Sequence, residues 1–423
     1  MLGGGFGGAN VGRRLGERGA TIVSPDSSLT FSPLLAEAAS GTLELRHVAV
    51  PLRMMCPHAE LILGRAVEHD AKSREVTVEA ESETRLTVSY RELVVAVGAV
   101  PRVFDIPGLV EHAVGATTIA DAIYLRDRVL RQLEAASLES DPERRRAHLT
   151  CVFVGGGYAG VEMLAEMHSF AQDALRYFPR LRGAEQRWLL LDAAPKLLAE
   201  VPTRLGEYAT KELVRAGIDV RTETSVERVE DGRVVLTDGT ELACQTVVWT
   251  AGVQASPALE SLQLPLDERK RVVVDEHLRV RGLRHVWALG DCAAVPNAVS
   301  SSDTDPPTSQ HAIRQARTLA HNLTAAAAGR SLRVHRFRSL GQVATLGRFK
   351  GIAVVLGLQM RGPLGWWVAR TVHLLQIPQR PRQLRVLGDW TFSLFFRRDI
   401  VAFDARPPRP PLARDHSGAP TRA

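Results

Sequence analysis

Cysteine is scarce. The 423 residues hold four, Cys56, Cys151, Cys244 and Cys292. None stand at CxxC or similar spacing, so neither a thioredoxin-like redox pair nor a zinc site is expected, and no metal ligand set is assigned. The isolated thiols fit a reducing compartment. Long apolar runs are missing as well. No stretch approaches ~18 uninterrupted apolar residues, so no transmembrane helix is expected. The N-terminus opens on glycines instead of a charged region followed by an apolar run, so no secretory signal is expected either. Charge of one sign is in short supply. A formal net charge of +6 over this length is weak ground for nucleic-acid binding, and an anionic membrane surface suits it at least as well; no nucleic-acid partner is expected. The remaining composition, 45% hydrophobic and 24% charged, excludes wholesale disorder and leaves room for two or three globular domains.

Glycine, by contrast, is concentrated. Gly3-Gly4-Gly5-Phe6-Gly7-Gly8 and Gly155-Gly156-Gly157-Tyr158-Ala159-Gly160 lie about 150 residues apart. Each precedes a stretch of helical periodicity and then a short apolar run, Ala20–Val23 and Trp188–Leu191. Strand, glycine turn, helix, strand is one βαβ unit. A helix N-terminus offers unpaired N–H groups and partial positive charge to a pyrophosphate, and glycines let the backbone approach it. The second segment has the full context. The apolar run Leu149–Val154 precedes it, and Asp192 closes the next strand. A carboxylate there suits the two ribose hydroxyls of an adenosine and repels a 2′-phosphate, which favours NADH over NADPH. The spacing of 32 residues from Gly160 to Asp192 implies an insertion around Tyr177-Phe178-Pro179. The first segment has only Met1 and Leu2 before it, whereas a strand takes about five residues. Its opening strand therefore reads as truncated, and a start upstream is the favoured explanation. Ser24 stands where an acidic residue would close the next strand, a weaker ribose partner.

Two dinucleotide folds suggest two dinucleotides, and a hydride-accepting flavin with a nicotinamide is a natural pair. Val95-Ala96-Val97-Gly98, Thr250-Ala251-Gly252 and His285-Val286-Trp287-Ala288-Leu289-Gly290-Asp291 resemble the flavin-contacting strand, its counterpart in the second domain, and the Gly-Asp motif of the two-dinucleotide flavoprotein superfamily. Within it the chain resembles the type II NADH:quinone oxidoreductases, the single-subunit, non-proton-pumping NADH dehydrogenases. Phe31-Ser32-Pro33-Leu34-Leu35, Ser40-Gly41-Thr42 and Val50-Pro51-Leu52-Arg53 are similar to that family's first-domain signature. Gly160-Val161-Glu162 is similar to its second loop, and Pro307–Gln315 to its quinone segment. There Ser309 replaces an Ala and Arg314 a Gln, with Gln315 next to it.

The resemblance implies an α/β fold with two Rossmann-like domains, an NADH domain inserted in a discontinuous FAD domain. The expected division is 1–115 and 250–330 for FAD, 116–249 for NADH, 331–404 for a membrane-associating or dimerising region, and 405–423 for a disordered tail. It implies FAD as cofactor, NADH as substrate and a membrane quinone (menaquinone or ubiquinone) as acceptor. The FAD side comprises Gly3, Gly5, Phe6, Gly8, Ser24, Arg53, Gly98, Asp291 and Gln310. The NADH side comprises Gly155, Gly157, Tyr158, Gly160, Glu162, Asp192, Ala251 and Gly252. Glu162, Gln310 and Arg314 are the candidate catalytic residues, while His311 reads as packed rather than as a proton relay. Cys151 and Cys292 read as structural.

Residues 331–404 hold nine of the 23 aromatics. Gly362-Pro363 can start a helix. Leu364, Trp366, Trp367, Val368, Val372, Leu374, Leu375 and Ile377 give it an apolar face, with Arg361, Arg370 and Arg380 as headgroup cations. Phe392, Phe395 and Phe396 with Arg397 and Arg398 repeat that pattern. The segment reads as lying on the membrane at the cytoplasmic face, so that residues 362–404 hold a peripheral protein there; a core helix with a homodimer interface is the alternative. Two rival functions stay open at this level: a soluble NAD(P)H:acceptor flavoprotein reductase of the ferredoxin-reductase kind, and a flavin-free NAD(H)-binding regulatory protein.

Overall fold

The computed structural model describes residues 1–403 apart from 81, 83 and 300–302, so the expected tail 405–423 lies outside the described residues. The chain divides into two compact units. The first takes Met1–Thr30, Ala49–Val100 and Val253–Ser339. Its central sheet runs, in spatial order, Glu60–Asp70, Thr21–Ser24, Leu2, Leu93–Val95 and Val286–Ala288, all parallel where they meet. The opening strand is thus a single residue. Leu2 is 2% exposed and bridges Val23 on one side and Val95 on the other, with its N–H donating to Val94 O and its carbonyl accepting from Ala96 N–H, each at 2.8 Å. The helices Phe6–Leu15 and Ser309–Ala327 pack on each other against this sheet. The hairpin extension Glu75–Ala80 and Arg85–Ser89 continues from the long edge strand.

The second unit takes Phe31–Val48, Pro101–Gly252 and Leu340 onward. Its five parallel strands run Ile218–Arg221, Arg187–Leu191, Thr150–Val154, Thr246–Trp249 and Ala113–Val114. Thr150–Val154 is buried throughout, as expected of a strand covered on both faces. Between Gly160 and Asp192 run the 18-residue crossover helix, which spans Tyr158–Leu175, and then the short turn Pro179–Leu181, which overlaps the place expected for the insertion. Both units therefore repeat one strand order around the first strand, and in each the glycine loop leaves that strand where the order reverses, the place at which such sheets bind ligands.

The division differs from the expected boundaries in several places: residues 101–115 and 250–252, expected in the first unit, belong to the second, and residues 331–339, expected in the C-terminal region, belong to the first. Phe31–Val48, expected in the first unit, belongs to the second, because Leu35 and Ala39 enter the same core as Leu125, Leu164 and Phe170. Residues 340–403, expected as a separate region, also join it. The antiparallel strands Gly341–Thr345, Gly351–Val355 and Leu358–Arg361 place Ala344, Leu346 and Ile352 in that core. The polar run from Asp141 forms the helix Pro142–His148, capped by Asp141 Oδ1, which accepts the N–H groups of Glu143 and Arg144 at 2.9 Å each.

Candidate functional site

The two glycine loops are built alike. Gly3 and Gly155 have φ of +108° and +117°, a region closed to residues with a side chain. A methyl group at Gly8 would strike the Gly3 carbonyl, and one at Gly160 the Gly155 carbonyl. Gly5 and Gly157 precede the helices Phe6–Leu15 and Tyr158–Leu175 in extended conformation, and a methyl group on either would meet nothing within 4 Å. Neither helix has a side-chain cap, so each presents first-turn N–H groups to open space, the arrangement that takes a phosphate.

In the second unit, Asp192 is held on the loop. Its Oδ2 accepts the Gly156 N–H and its Oδ1 the Ala194 N–H at 2.6 Å. Thr250 ties the neighbouring strand to the same loop, donating to Val154 O at 2.9 Å and Gly155 O at 3.1 Å, and Ala251 and Gly252 follow directly, Gly252 with φ of +88°. The Tyr158 hydroxyl is buried with no hydrogen-bond partner among the described residues, and burial raises its pKa. Glu162 stands one turn further along. Burial pushes its carboxyl up to about 8, against the pull of Thr345, whose N–H and hydroxyl donate to Oε1 at 2.7 and 3.2 Å.

Further down that helix the C-terminal segment corrects two expectations. Arg370 and Arg398, read as headgroup cations, are inside. Arg370 pairs with buried Glu37 at 2.9 Å, and Trp390 Nε1 donates to the same carboxylate at 2.6 Å. Arg398 pairs with buried Glu166 at 3.0 Å, which also accepts from the Ser40 hydroxyl at 2.9 Å. Trp366 and Ile377, counted on the apolar outer face, are buried too. A charge placed in the core needs a partner there, and these carboxylates explain where the arginines go. Leu364, Trp367 and Leu375 stay outside, 58%, 62% and 71% exposed.

In the first unit, Ser24 is buried at the strand end and its hydroxyl accepts the Asp26 N–H at 3.3 Å. Arg53 lies at the surface, donating to Leu61 O at 3.4 Å. Gly98 and Gly290 both turn the chain with positive φ. Asp291 accepts no hydrogen bond from any described residue, and burial alone raises its carboxyl to about 6. An orphaned, half-buried carboxylate two residues beyond Leu289, whose side chain borders Gly7 of the first glycine loop, fits a ligand that brings hydroxyl groups. Gln310 occupies the first turn of helix Ser309–Ala327. Arg314 stacks on Phe337, 5.3 Å from its ring centre. His311 meets the same ring edge-on at 5.2 Å and contacts the Thr308 hydroxyl through Nδ1 at 2.7 Å, a packed histidine as expected. All four cysteines are buried and free.

Sequence reasoning missed Thr345 and Gln315. Thr345 sits 183 residues from its partner Glu162, and no local signal links them. Gln315 was visible as a neighbour of Arg314, but its contact with Gly290 needs the fold.

Residues 1–316 match the family described as pyridine nucleotide-disulphide oxidoreductase. A probable NADH dehydrogenase of Dictyostelium discoideum is 31% identical over 391 residues, covering 90% of this chain and 86% of that protein. The type II NADH:quinone oxidoreductase Ndh of Mycobacterium tuberculosis is 30% identical over 417 residues, covering 94% of this chain and 88% of that protein. Among solved structures, NDH2 of Plasmodium falciparum in complex with NADH matches with a TM-score of 0.89 at 18% identity, over 95% of this chain and 98% of that one. That last likeness is one of fold.

Proposed function

The chain belongs to the pyridine nucleotide-disulphide oxidoreductase family and, within it, to the type II NADH dehydrogenases, and on that premise we propose that it is an FAD-dependent NADH:quinone oxidoreductase that moves electron pairs without pumping protons. The observation that carries the reading is the repeated glycine loop with a different carboxylate beside each copy: orphaned Asp291 in the first unit, loop-bound Asp192 in the second. Gly3, Gly5, Phe6 and Gly8 would hold the FAD pyrophosphate, Ser24 a ribose, and Asp291 the ribityl-phosphate portion, with Gly98 giving the backbone close approach. Gly155, Gly157, Tyr158 and Gly160 would hold the NADH pyrophosphate and Asp192 its adenosine ribose, with Ala251 and Gly252 closing that side. The flavin supplies the redox chemistry when bound, taking hydride from NADH and giving two electrons to a quinone. Glu162 holds a proton near neutrality, and Gln310 and Arg314 line the acceptor side.

The test is a spectrum and a titration. Full-length protein should carry a flavin band that NADH bleaches anaerobically, NADPH bleaches far less well, and added quinone restores. Colourless protein that cannot be reconstituted with FAD overturns the reading.

The quinone is lipid-borne, which gives the outer face of the C-terminal helices a use. Leu384, Phe392 and Phe395 on Arg380–Phe395 are 69%, 67% and 79% exposed. They stand with exposed Leu364, Trp367 and Leu375 and with surface Arg361, Arg380, Arg385 and Arg397. An apolar face rimmed by arginine suits a helix lying in the headgroup boundary of the cytoplasmic leaflet. No helix among the described residues is long and apolar enough to cross a membrane. Changing Trp367, Leu384 and Phe395 together to Ser removes roughly 4 kcal/mol or more of partitioning, about a thousandfold. The variant should fail to float with vesicles and should lose kcat/KM for long-tailed quinones at least tenfold more than for short soluble ones. Equal losses with both, together with a change from dimer to monomer, would assign the face to a homodimer instead.

A further inference from the structure

The helix Ser309–Ala327 reaches toward the first unit's cradle a second time, through Gln315. This residue is 2% exposed. Its Oε1 accepts the Gly290 N–H at 2.7 Å and its Nε2 donates to Asp305 Oδ2 at 2.7 Å. Asp305, itself buried, also accepts from Asn297 Nδ2 at 2.6 Å and lies 2.8 Å from His335 Nε2. His311 Nε2 stands 3.8 Å away. Against the cost of burial, the bonds from His335, Gln315 and Asn297 hold the Asp305 carboxyl below its usual range, so it stays charged and accepts from all of them. Every polar atom of this cluster that faces Gly290 is thereby fixed. An amide side chain can present either its oxygen or its nitrogen; beside a charged Asp305 only the nitrogen is tolerated, so the oxygen must face Gly290.

Gly290 is the turn from which Asp291 projects, and its φ of +77° is a conformation with alternatives close by for glycine. We propose that Gln315 is a positioning residue for the flavin nucleotide: it pins the Gly290 amide, and so fixes the direction in which the Asp291 carboxylate meets the ligand, while Asp305 fixes the orientation of Gln315. The inference rests on the reading that the first unit holds FAD. It assigns part of the affinity of that site to a residue whose amide is taken up by Gly290 and Asp305.

The experiment measures the Kd of FAD for full-length protein stripped of flavin, by quenching of flavin fluorescence. Gln315→Leu loses both bonds, leaving the part-buried Gly290 N–H without this partner and the buried Asp305 carboxylate with one donor fewer, so Kd should rise roughly 10- to 100-fold. Asn322→Leu is the control. Asn322 lies on the same helix, is 0% exposed, and makes a comparable set of bonds, to His277 O and Arg333 O at 2.9 Å, but none to Gly290. It should leave Kd within about threefold, since distant sites act independently. The double variant Q315E/D305N restores an acceptor for Gly290 and a donor toward it, and should bring Kd back within about fivefold of the starting protein. Equal losses in Gln315→Leu and Asn322→Leu, or no loss in Gln315→Leu, overturn the proposal. If Gln315→Leu does not fold, Asp305→Asn against Asn322→Leu decides in the same way. An unaltered chain that takes up no FAD overturns the parent reading as well, and is recognised by failing in the unaltered protein itself.

Discussion

Glu162→Gln is expected to slow quinone-dependent NADH oxidation about 100-fold, with bound flavin and NADH affinity within about twofold of the unaltered protein. The reason is positional and electrostatic. The carboxyl sits one turn into the helix that starts at the second glycine loop, half-buried, with Oε1 occupied by Thr345 and its pKa at about 8. At neutral pH such a group is largely protonated and can give up its proton, whereas a surface glutamate has none to give. Glutamine keeps the shape and the bonds from Thr345 but cannot cycle a proton. The pH profile separates the two roles. Turnover of the unaltered enzyme should fall as pH rises through about 8, and the Gln variant should lose that limb. Stability carries the same signature. The folded carboxyl binds its proton more tightly than the unfolded one, so its contribution is fully present below the ordinary carboxylate range and is lost as pH rises through about 8. Glu162→Gln should flatten that decline. Unchanged kinetics at every pH would remove Glu162 from the mechanism.

The second large effect is on stability. Arg370→Ala should cost about 3–5 kcal/mol, because it leaves Glu37 charged, buried and, among the described residues, bonded through its carboxylate to Trp390 alone. Burial already raises the Glu37 pKa despite Arg370 beside it, so without that guanidinium the carboxyl must take up a proton or open the fold. Removing both charges, Glu37→Gln with Arg370→Leu, should recover most of the loss, since a neutral pair of similar volume replaces the ion pair. Thermal unfolding of the three proteins checks this. If the double variant is no better than Arg370→Ala, the loss comes from packing of Arg370 against Trp366 and Trp390, whose ring centres lie 4.1 and 4.7 Å from its guanidinium carbon.

What could be read from the sequence follows from where the controlling interactions lie along the chain. The glycine loops, the strand before the second, the Asp192 position and the proline-initiated helix at Gly362 are set by neighbours in sequence, and all stand as expected. The shortness of the opening strand was legible too, since only two residues precede the first glycine loop: one of them, Leu2, forms the strand by itself, bridging Val23 and Val95. The domain boundaries were not. Phe31–Val48 crosses to the second unit through packing with helices that begin some 80 and 120 residues later. The arginines of the C-terminal helices looked like surface cations because helical periodicity places a side chain on a face without saying what the face meets. Their partners, Glu37 and Glu166, are 333 and 232 residues away. The sites follow the same rule: Asp291 could be named from its motif, whereas the amide that holds its turn could not.

The buried arginine pairs also bear on how this protein can be handled. Its stickiest stretch is the obvious piece to cut away when a soluble preparation is wanted for crystals or screening, but that stretch supplies the counter-ions of two interior glutamates and a strand order that fills the core. Trimming would therefore yield aggregates, whereas repainting the outward residues one by one leaves the inward half of the same helices untouched.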